Sequence, residues 1–134
     1  LHLPVIVHDR DAHADSMDIT RRYPDVTGVY HCYAGHAEMA RELLKLGYYL
    51  SFTGVITFKN AKKAKEVIKE VPIERLMIET DSPYMAPEPF RGRRNSSLYV
   101  HRMAETIADI KGMDVAEVER ITTENGKKLF GISE

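Results

Sequence analysis

The 134 residues of this chain are 43% hydrophobic and 29% charged, with a formal net charge of −1. That balance predicts one compact domain, residues 1–134, and excludes the global basic field of many nucleic-acid binders, so any such contact needs a local patch. One cysteine, Cys32, excludes an internal disulfide and favours a reducing compartment, the cytoplasm. No apolar run approaches the roughly 18 residues of a membrane span, and no signal-peptide pattern is present.

The first third of the chain alternates short apolar runs with helical patterns. The run Leu3–Val7, rich in β-branched residues, predicts a first strand. A helix over 12–23 follows, with Asp11 as a plausible N-cap and Pro24 ending it. Residues 28–30 then predict a second strand.

The same alternation continues to the end of the chain. It predicts a helix over 36–46, a third strand over 48–52, a helix over 61–71 and a fourth strand over 76–78. A loop rich in Pro and Arg, residues 82–96, comes next. A helix ending near Gly112 and a last helical segment with Asp114 at its start complete the pattern.

The fold class indicated by this order is α/β, with four parallel strands, alternating helices and a C-terminal helix. Strand–helix alternation predicts a parallel sheet with right-handed crossovers. A complete (β/α)8 barrel has eight strands and about 250 residues, so four strands would form a partial TIM-type barrel. A four-stranded open α/β sheet is the competing architecture.

Three side chains of metal-ligand type follow predicted strands: His8, His31 and Asp81. The carboxyl ends of parallel strands meet on one face, so these groups are expected to converge there. Two imidazoles and a carboxylate suit zinc, manganese or iron, and a carboxylate-rich set would admit magnesium. The alternative is that each histidine is simply packed or solvated, and that Asp81 caps the turn around Pro83.

Other polar residues lie near these positions. By strand alternation Glu79 shares a face with Asp81, and a buried carboxylate there needs a metal or an arginine as partner. We interpret Cys32 as a core thiol, because neighbouring strand residues point to opposite faces. No role is assigned to a set of residues expected on helices or at the start of the chain: His2, His13, His36, His101, Lys59, Lys62, Lys63 and Lys65.

The loop 91–95 is the one strong basic patch, on the same face as the three candidate ligands. Arginine guanidinium groups and asparagine amides suit phosphate oxygens, so Arg94 and Asn95 are candidate substrate contacts. A solvated loop is the alternative interpretation, because most charge runs behave that way.

Six motifs occur in order along the chain, and together they resemble the second half of the TatD family of metal-dependent hydrolases. The motifs are PVIVHDR (4–10), HCYAG (31–35), SFTG (51–54), ETDSPY (79–84), RGRRN (91–95) and TTEN (122–125). The resemblance covers essentially the whole chain and implies a TIM-type barrel and a divalent-metal DNase. It also implies that His8, His31 and Asp81 are metal ligands, with Arg94 and Asn95 near the substrate phosphate.

The chain departs from that family at its start. The family's first strand carries a His-x-His pair and a middle strand carries a glutamate ligand, and neither is present. We therefore expect barrel strands five to eight in a cut chain, with a processed native terminus at Leu1 as the alternative. One copy could not complete a site for two divalent ions (Mg, Mn or Zn).

The function expected from the resemblance is hydrolysis of phosphodiester bonds in DNA, with Asp81 binding metal and acting as general base. An amidohydrolase-type enzyme on a small substrate is a second hypothesis, which the basic loop disfavours. A catalytically incompetent half-barrel scaffold is the third. Four barrel strands leave unpaired edges, so we expect a homo-oligomer or association with a missing N-terminal half.

Overall fold

A computed structural model describes residues 1–133 of the chain, and its elements follow the predicted order. The strands are β1 (Val5–His8), β2 (Gly28–His31), β3 (Tyr49–Phe52) and β4 (Leu76–Ile78). The helices are α1 (His13–Arg22), α2 (Ala37–Lys45), α3 (Lys62–Glu70), α4 (His101–Lys111) and α5 (Val115–Phe130). Within the described residues no helix is long and apolar enough to cross a membrane.

The four strands lie side by side in chain order, β1-β2-β3-β4, and all pairs are parallel. A doubly wound open sheet reverses its strand order, whereas barrel strands follow one another in sequence. Consecutive helices also pack against each other, α2 on α3, α3 on α4 and α4 on α5. The predicted α/β class and partial (β/α)8 barrel are confirmed, and the open-sheet alternative is not what forms.

Alternate strand residues divide between two faces of the sheet, as the period of two requires. Tyr30, Leu50 and Leu76 belong to the main core that the helices cover. The opposite face carries a smaller apolar cluster of Val29, Tyr49 and Met77, with Leu129 of α5 packed against it. Toward the carboxyl ends of the strands this second face becomes polar: His8, His31, Ser51 and Glu79.

Of the two N-cap residues predicted from the sequence, one caps its helix in the structure and the other does not. The side chain of Asp114 accepts a hydrogen bond from the amide of Ala116, so its predicted N-cap role is confirmed. The predicted Asp11 cap is wrong: the N-cap is Ala12, and its amide donates to Asp9 Oδ1 at 3.2 Å. The helix α1 therefore begins at His13, one residue later than a cap at Asp11 would require.

Candidate active site

Two histidines end neighbouring strands, and their side chains lie next to each other on the same face of the sheet. His8 is paired in register with His31. Nδ1 of His8 lies 2.7 Å from Nε2 of His31, and their rings are stacked with centroids 5.0 Å apart. The parallel register therefore brings together two imidazoles that are 23 residues apart in the chain.

Glu79 is the acceptor that orders this corner of the sheet. It follows β4 directly, and its Oε2 lies 3.1 Å from Nδ1 of His31. Its Oε1 accepts hydrogen bonds from the amide of Cys32, at 2.7 Å, and from the hydroxyl of Ser51. Because Nδ1 of His31 donates to the carboxylate, its Nε2 carries the lone pair, and His8 Nδ1 must be the donor between the rings. A carboxylate that fixes the tautomer of a metal-binding histidine is a common arrangement around metal sites.

Asp81 joins the two histidines at a shared cavity. It lies beyond the end of β4 at Ile78, and it lines, with His8 and His31, a cavity of about 470 Å³. We call this cavity the cleft. Nitrogen and carboxylate donors of this kind fit a divalent cation. Within residues 1–133, however, no three His, Cys, Asp or Glu side chains are grouped so as to hold an ion by themselves. The described residues therefore bring two imidazoles and a carboxylate to one cavity without grouping them around an ion.

Several residues that line the cleft have backbone φ angles that non-glycine residues rarely adopt. Within residues 1–133, five non-glycine residues have positive φ angles, and all but His2 line the cleft: Asp11, Cys32, Asp81 and Met85. Such conformations are uncommon for non-glycine residues and cost of order 1–3 kcal/mol each, so they persist where the surrounding structure holds them. Such clustering is typical of active sites and ligand-binding segments.

Sequence reasoning assigned no role to several residues of this cleft, among them Asp9, Arg10, His13 and Lys63. Asp9 follows His8, and its Oδ2 lies 2.7 Å from Nδ1 of His13, the first residue of α1. Lys63, which the sequence analysis left without a role, also lines the cleft. A carboxylate directly after a strand-ending histidine, with another histidine four residues on, was the signal for the first pair. No sequence signal separated Lys63 from the other lysines of its helix.

Cys32 departs from its interpretation as a core thiol. It is half-buried and lines the cleft, because its φ of 47° breaks the strand alternation on which that interpretation relied. Its Sγ lies 3.6 Å from both Thr53 Oγ1 and Met85 Sδ. Burial raises the pKa of this thiol, and the carboxylates of Glu79 and Asp81 raise it further.

The basic loop is arranged differently from the prediction. Arg94 is exposed and is not among the residues that line the cleft. The side chain of Asn95 is buried, and its Nδ2 donates to the carbonyl oxygens of Thr80 at 2.8 Å and Tyr84 at 2.6 Å. Its Oδ1 accepts from the amide of Ser96 at 2.8 Å. Asn95 therefore holds the loop after β4 in shape and does not present its amide to a phosphate.

A parallel sheet of barrel type, with imidazole and carboxylate side chains at the carboxyl ends of its strands, defines the class of (β/α)-barrel proteins, whose active sites lie at that end. The model of the TatD related DNase family matches residues 1–131, and the chain belongs to that family. The likeness read from the six sequence motifs is thereby confirmed.

Curated relatives cover this chain almost end to end. The uncharacterized metal-dependent hydrolase YabD of Bacillus subtilis is 52% identical over 135 residues, covering 99% of this chain and 53% of that protein. The uncharacterized metal-dependent hydrolase YcfH of Escherichia coli K12 is 46% identical over 134 residues, covering 98% of this chain and 51% of that protein. The chain thus spans about half the length of the curated relatives that it matches.

Solved structures give the same picture of the fold. The crystal structure of YJJV, a TatD homologue from Escherichia coli K12, has a TM-score of 0.88 and 28% identity, covering 98% of this chain and 51% of that chain. A TatD family hydrolase from Entamoeba histolytica has a TM-score of 0.85 at 24% identity, a likeness of fold.

Proposed function

We propose that this chain supplies half of the active site of a divalent-metal-dependent hydrolase that cleaves phosphodiester bonds in DNA. The observation that carries the proposal is the His8–His31 pair, ordered by Glu79, in a cleft shared with Asp81 and Lys63. The description of the family as DNases and the names of the relatives as metal-dependent hydrolases support the same function.

His8, His31 and Asp81 are the residues that would hold metal. A bound Mg²⁺, Mn²⁺ or Zn²⁺, with two ions in a complete site, would polarise a phosphoryl oxygen and acidify the attacking water. The carboxylate of Asp81 is the candidate general base for that water. Glu79 holds the hydrogen of His31 at Nδ1, so the lone pair of His31 is at Nε2. In the structure that lone pair accepts from His8, and a bound ion would take the place of this hydrogen.

Positive side chains are placed to attract the phosphate. Lys63 and Arg10 line the cleft, where a cation would stabilise charge that develops on phosphoryl oxygens. Arg94 is exposed outside the cleft, so its proposed contact is with a flanking phosphate of the same DNA strand. Asn95 acts on substrate only indirectly, by holding the loop that carries Arg94.

A complete site needs ligands from outside residues 1–133, either from an N-terminal half or from a second copy of this chain. The outer side of β1 has no strand beside it in the described residues, and Ile6 on that strand is 61% exposed. An unpaired edge with an exposed apolar residue favours association. Sedimentation at micromolar concentration tests this, and a monodisperse monomer would contradict the homo-oligomer.

A non-catalytic half-barrel scaffold is the second candidate, favoured by the lack of a three-donor group in residues 1–133. Titration with Mn²⁺, followed by an assay on single- and double-stranded DNA of the chain combined with a separately supplied N-terminal half, separates the two. Turnover that falls by about 10²-fold or more in Asp81→Asn, but not in the exposed control Asp15→Asn, would support the hydrolase. Metal binding without turnover would support the scaffold.

A further inference from the structure

We propose that a second, apolar cavity beside the cleft binds the base of a nucleotide whose phosphate lies next to Lys63. This inference rests on the proposed function, because it names the part of the DNA that would be bound beside the cleft. The second cavity has a volume of about 310 Å³ and lies between the segments that follow β2 and β3. We call it the base pocket.

The walls of the base pocket are mostly carbon. Aromatic and aliphatic side chains contribute most of them: Tyr33, Phe52, Val55, Ile56, Ala61 and Ala64. Small-ligand sites are typically apolar cavities of about 300–1,000 Å³ with a few polar groups that set orientation. Here the amide of Asn60 is exposed on the pocket and can both donate to and accept from the edge of a base.

The base pocket and the cleft share a boundary. Cys32, Ala34, Lys63 and Met85 line both cavities. A molecule with one apolar, planar part and one anionic part can therefore occupy both at once, with the ammonium of Lys63 beside the anionic part. A nucleotide has this chemistry, and it would direct its phosphate toward the His8–His31 side of the boundary.

Met85 is one of the residues that line both cavities, and its contacts hold it in place. Its backbone has a φ of 57°, and its Sδ lies 3.5 Å from Thr53 Oγ1 and 3.6 Å from Cys32 Sγ. Gly54 permits this arrangement, because a Cβ there would collide with the carbonyl oxygen of Met85 and the backbone of Pro87. A thioether beside the cavity suits a flat ring, since sulfur packs favourably against aromatic groups.

The test uses binding without metal, so that it does not depend on catalysis. Thymidine 5′-monophosphate and inorganic phosphate are titrated into the 134-residue chain in EDTA, followed by calorimetry and by amide NMR shifts. The expected result is binding of the nucleotide at least tenfold tighter than binding of phosphate, with shifts at Val55, Asn60 and Ala61. Equal affinities, or shifts confined to other parts of the chain, would overturn the proposal.

Two variants with matched controls locate the ligand. Ala61→Phe fills the base pocket and should remove the advantage of the nucleotide over phosphate, while the exposed Ala14→Phe should not. Lys63→Ala should weaken both ligands, while the neighbouring Lys62→Ala, which lines neither cavity, should weaken neither. An Ala61→Phe variant that is folded, as judged by a native-like NMR spectrum, and still prefers the nucleotide over phosphate would overturn the proposed base pocket. So would tight binding of thymine alone to that variant.

The failures of the two proposals are distinguishable. Nucleotide preference, with no DNA hydrolysis even when an N-terminal half is supplied, would support the base pocket and refute the hydrolase. DNA hydrolysis without nucleotide preference would refute the base pocket alone.

Discussion

Nδ1 of His31 lies 3.1 Å from Oε2 of Glu79, and this contact decides which nitrogen of His31 is available to a ligand. The donor hydrogen faces the carboxylate, so the lone pair at Nε2 points to His8. The two residues are 48 positions apart. His31 is the last residue of β2, Glu79 follows β4 directly, and β3 lies between these two strands. The tautomer of a histidine on β2 is thus set by a side chain directly after β4.

Replacing Glu79 by glutamine should destabilise the fold by about 1–3 kcal/mol. Its two carboxylate oxygens accept from three donors, on His31, Cys32 and Ser51, and an amide would turn an NH2 group toward one of them. Urea denaturation measures the change, with the exposed Glu66→Gln as control. ¹⁵N NMR should also show that His31 no longer holds its hydrogen at Nδ1. An unchanged unfolding free energy would refute the role given to Glu79.

Removing either imidazole should weaken divalent-metal binding. His8→Ala and His31→Ala each delete one nitrogen of the 2.7 Å pair, and we expect at least a tenfold loss of Mn²⁺ affinity. Calorimetry on the 134-residue chain measures it. His2→Ala, at an exposed position near the start of the chain, is the control. Equal affinity in all three variants would show that the ion binds elsewhere.

Asn95→Ala should cost stability because the carbonyls of Thr80 and Tyr84 would each lose a hydrogen bond. A loss of about 1–3 kcal/mol is expected for such buried groups. Asn95→Asp should be at least as harmful, since a carboxylate would face two carbonyl oxygens. Thermal or urea unfolding of both variants tests this. A stable Asn95→Asp protein would count against the structural role.

Arg94→Ala, unlike the Asn95 variants, should leave the stability of the fold unchanged, because the Arg94 side chain is exposed. Its unfolding free energy should stay within about 0.5 kcal/mol of the parent chain. If Arg94 touches a phosphate, DNA affinity should fall and the salt dependence of binding should decrease by about one unit of slope. Fluorescence anisotropy at several salt concentrations gives both numbers, and an unaltered slope would exclude the contact.

The pH dependence of Cys32 alkylation should report its burial. Because burial raises the pKa of this thiol, the folded chain should hold less thiolate at pH 8 than the urea-unfolded chain, and it should react more slowly with iodoacetamide. The rate profile should shift to higher pH in the folded state. By linkage, the associated stability is present below the unfolded pKa and is lost as pH rises through the folded pKa. A folded-state profile at lower pH would contradict this.

Sequence patterns were sufficient for the elements with strong local signals. The β-branched first strand, the apolar run at Leu76–Ile78 and the Asp114 cap depend on neighbours within a few residues, and all three form. The first strand covers Val5–His8, two residues later at its start and one later at its end than predicted. Local reasoning failed at Cys32 and Asp11, where φ is positive. Alternation and capping rules assume ordinary backbone angles, and at these residues the surrounding structure overrides them.

By itself, the sequence determined the strand–helix alternation, the positions of His8, His31 and Asp81 after strands, and the family likeness. Only the tertiary structure decided that Glu79 contacts His31, that Asn95 is buried in its own loop, and that Lys63 reaches the cleft. The reason is that these contacts join segments far apart in the chain. Their partners are chosen by strand register and loop path, which no local pattern of residues encodes.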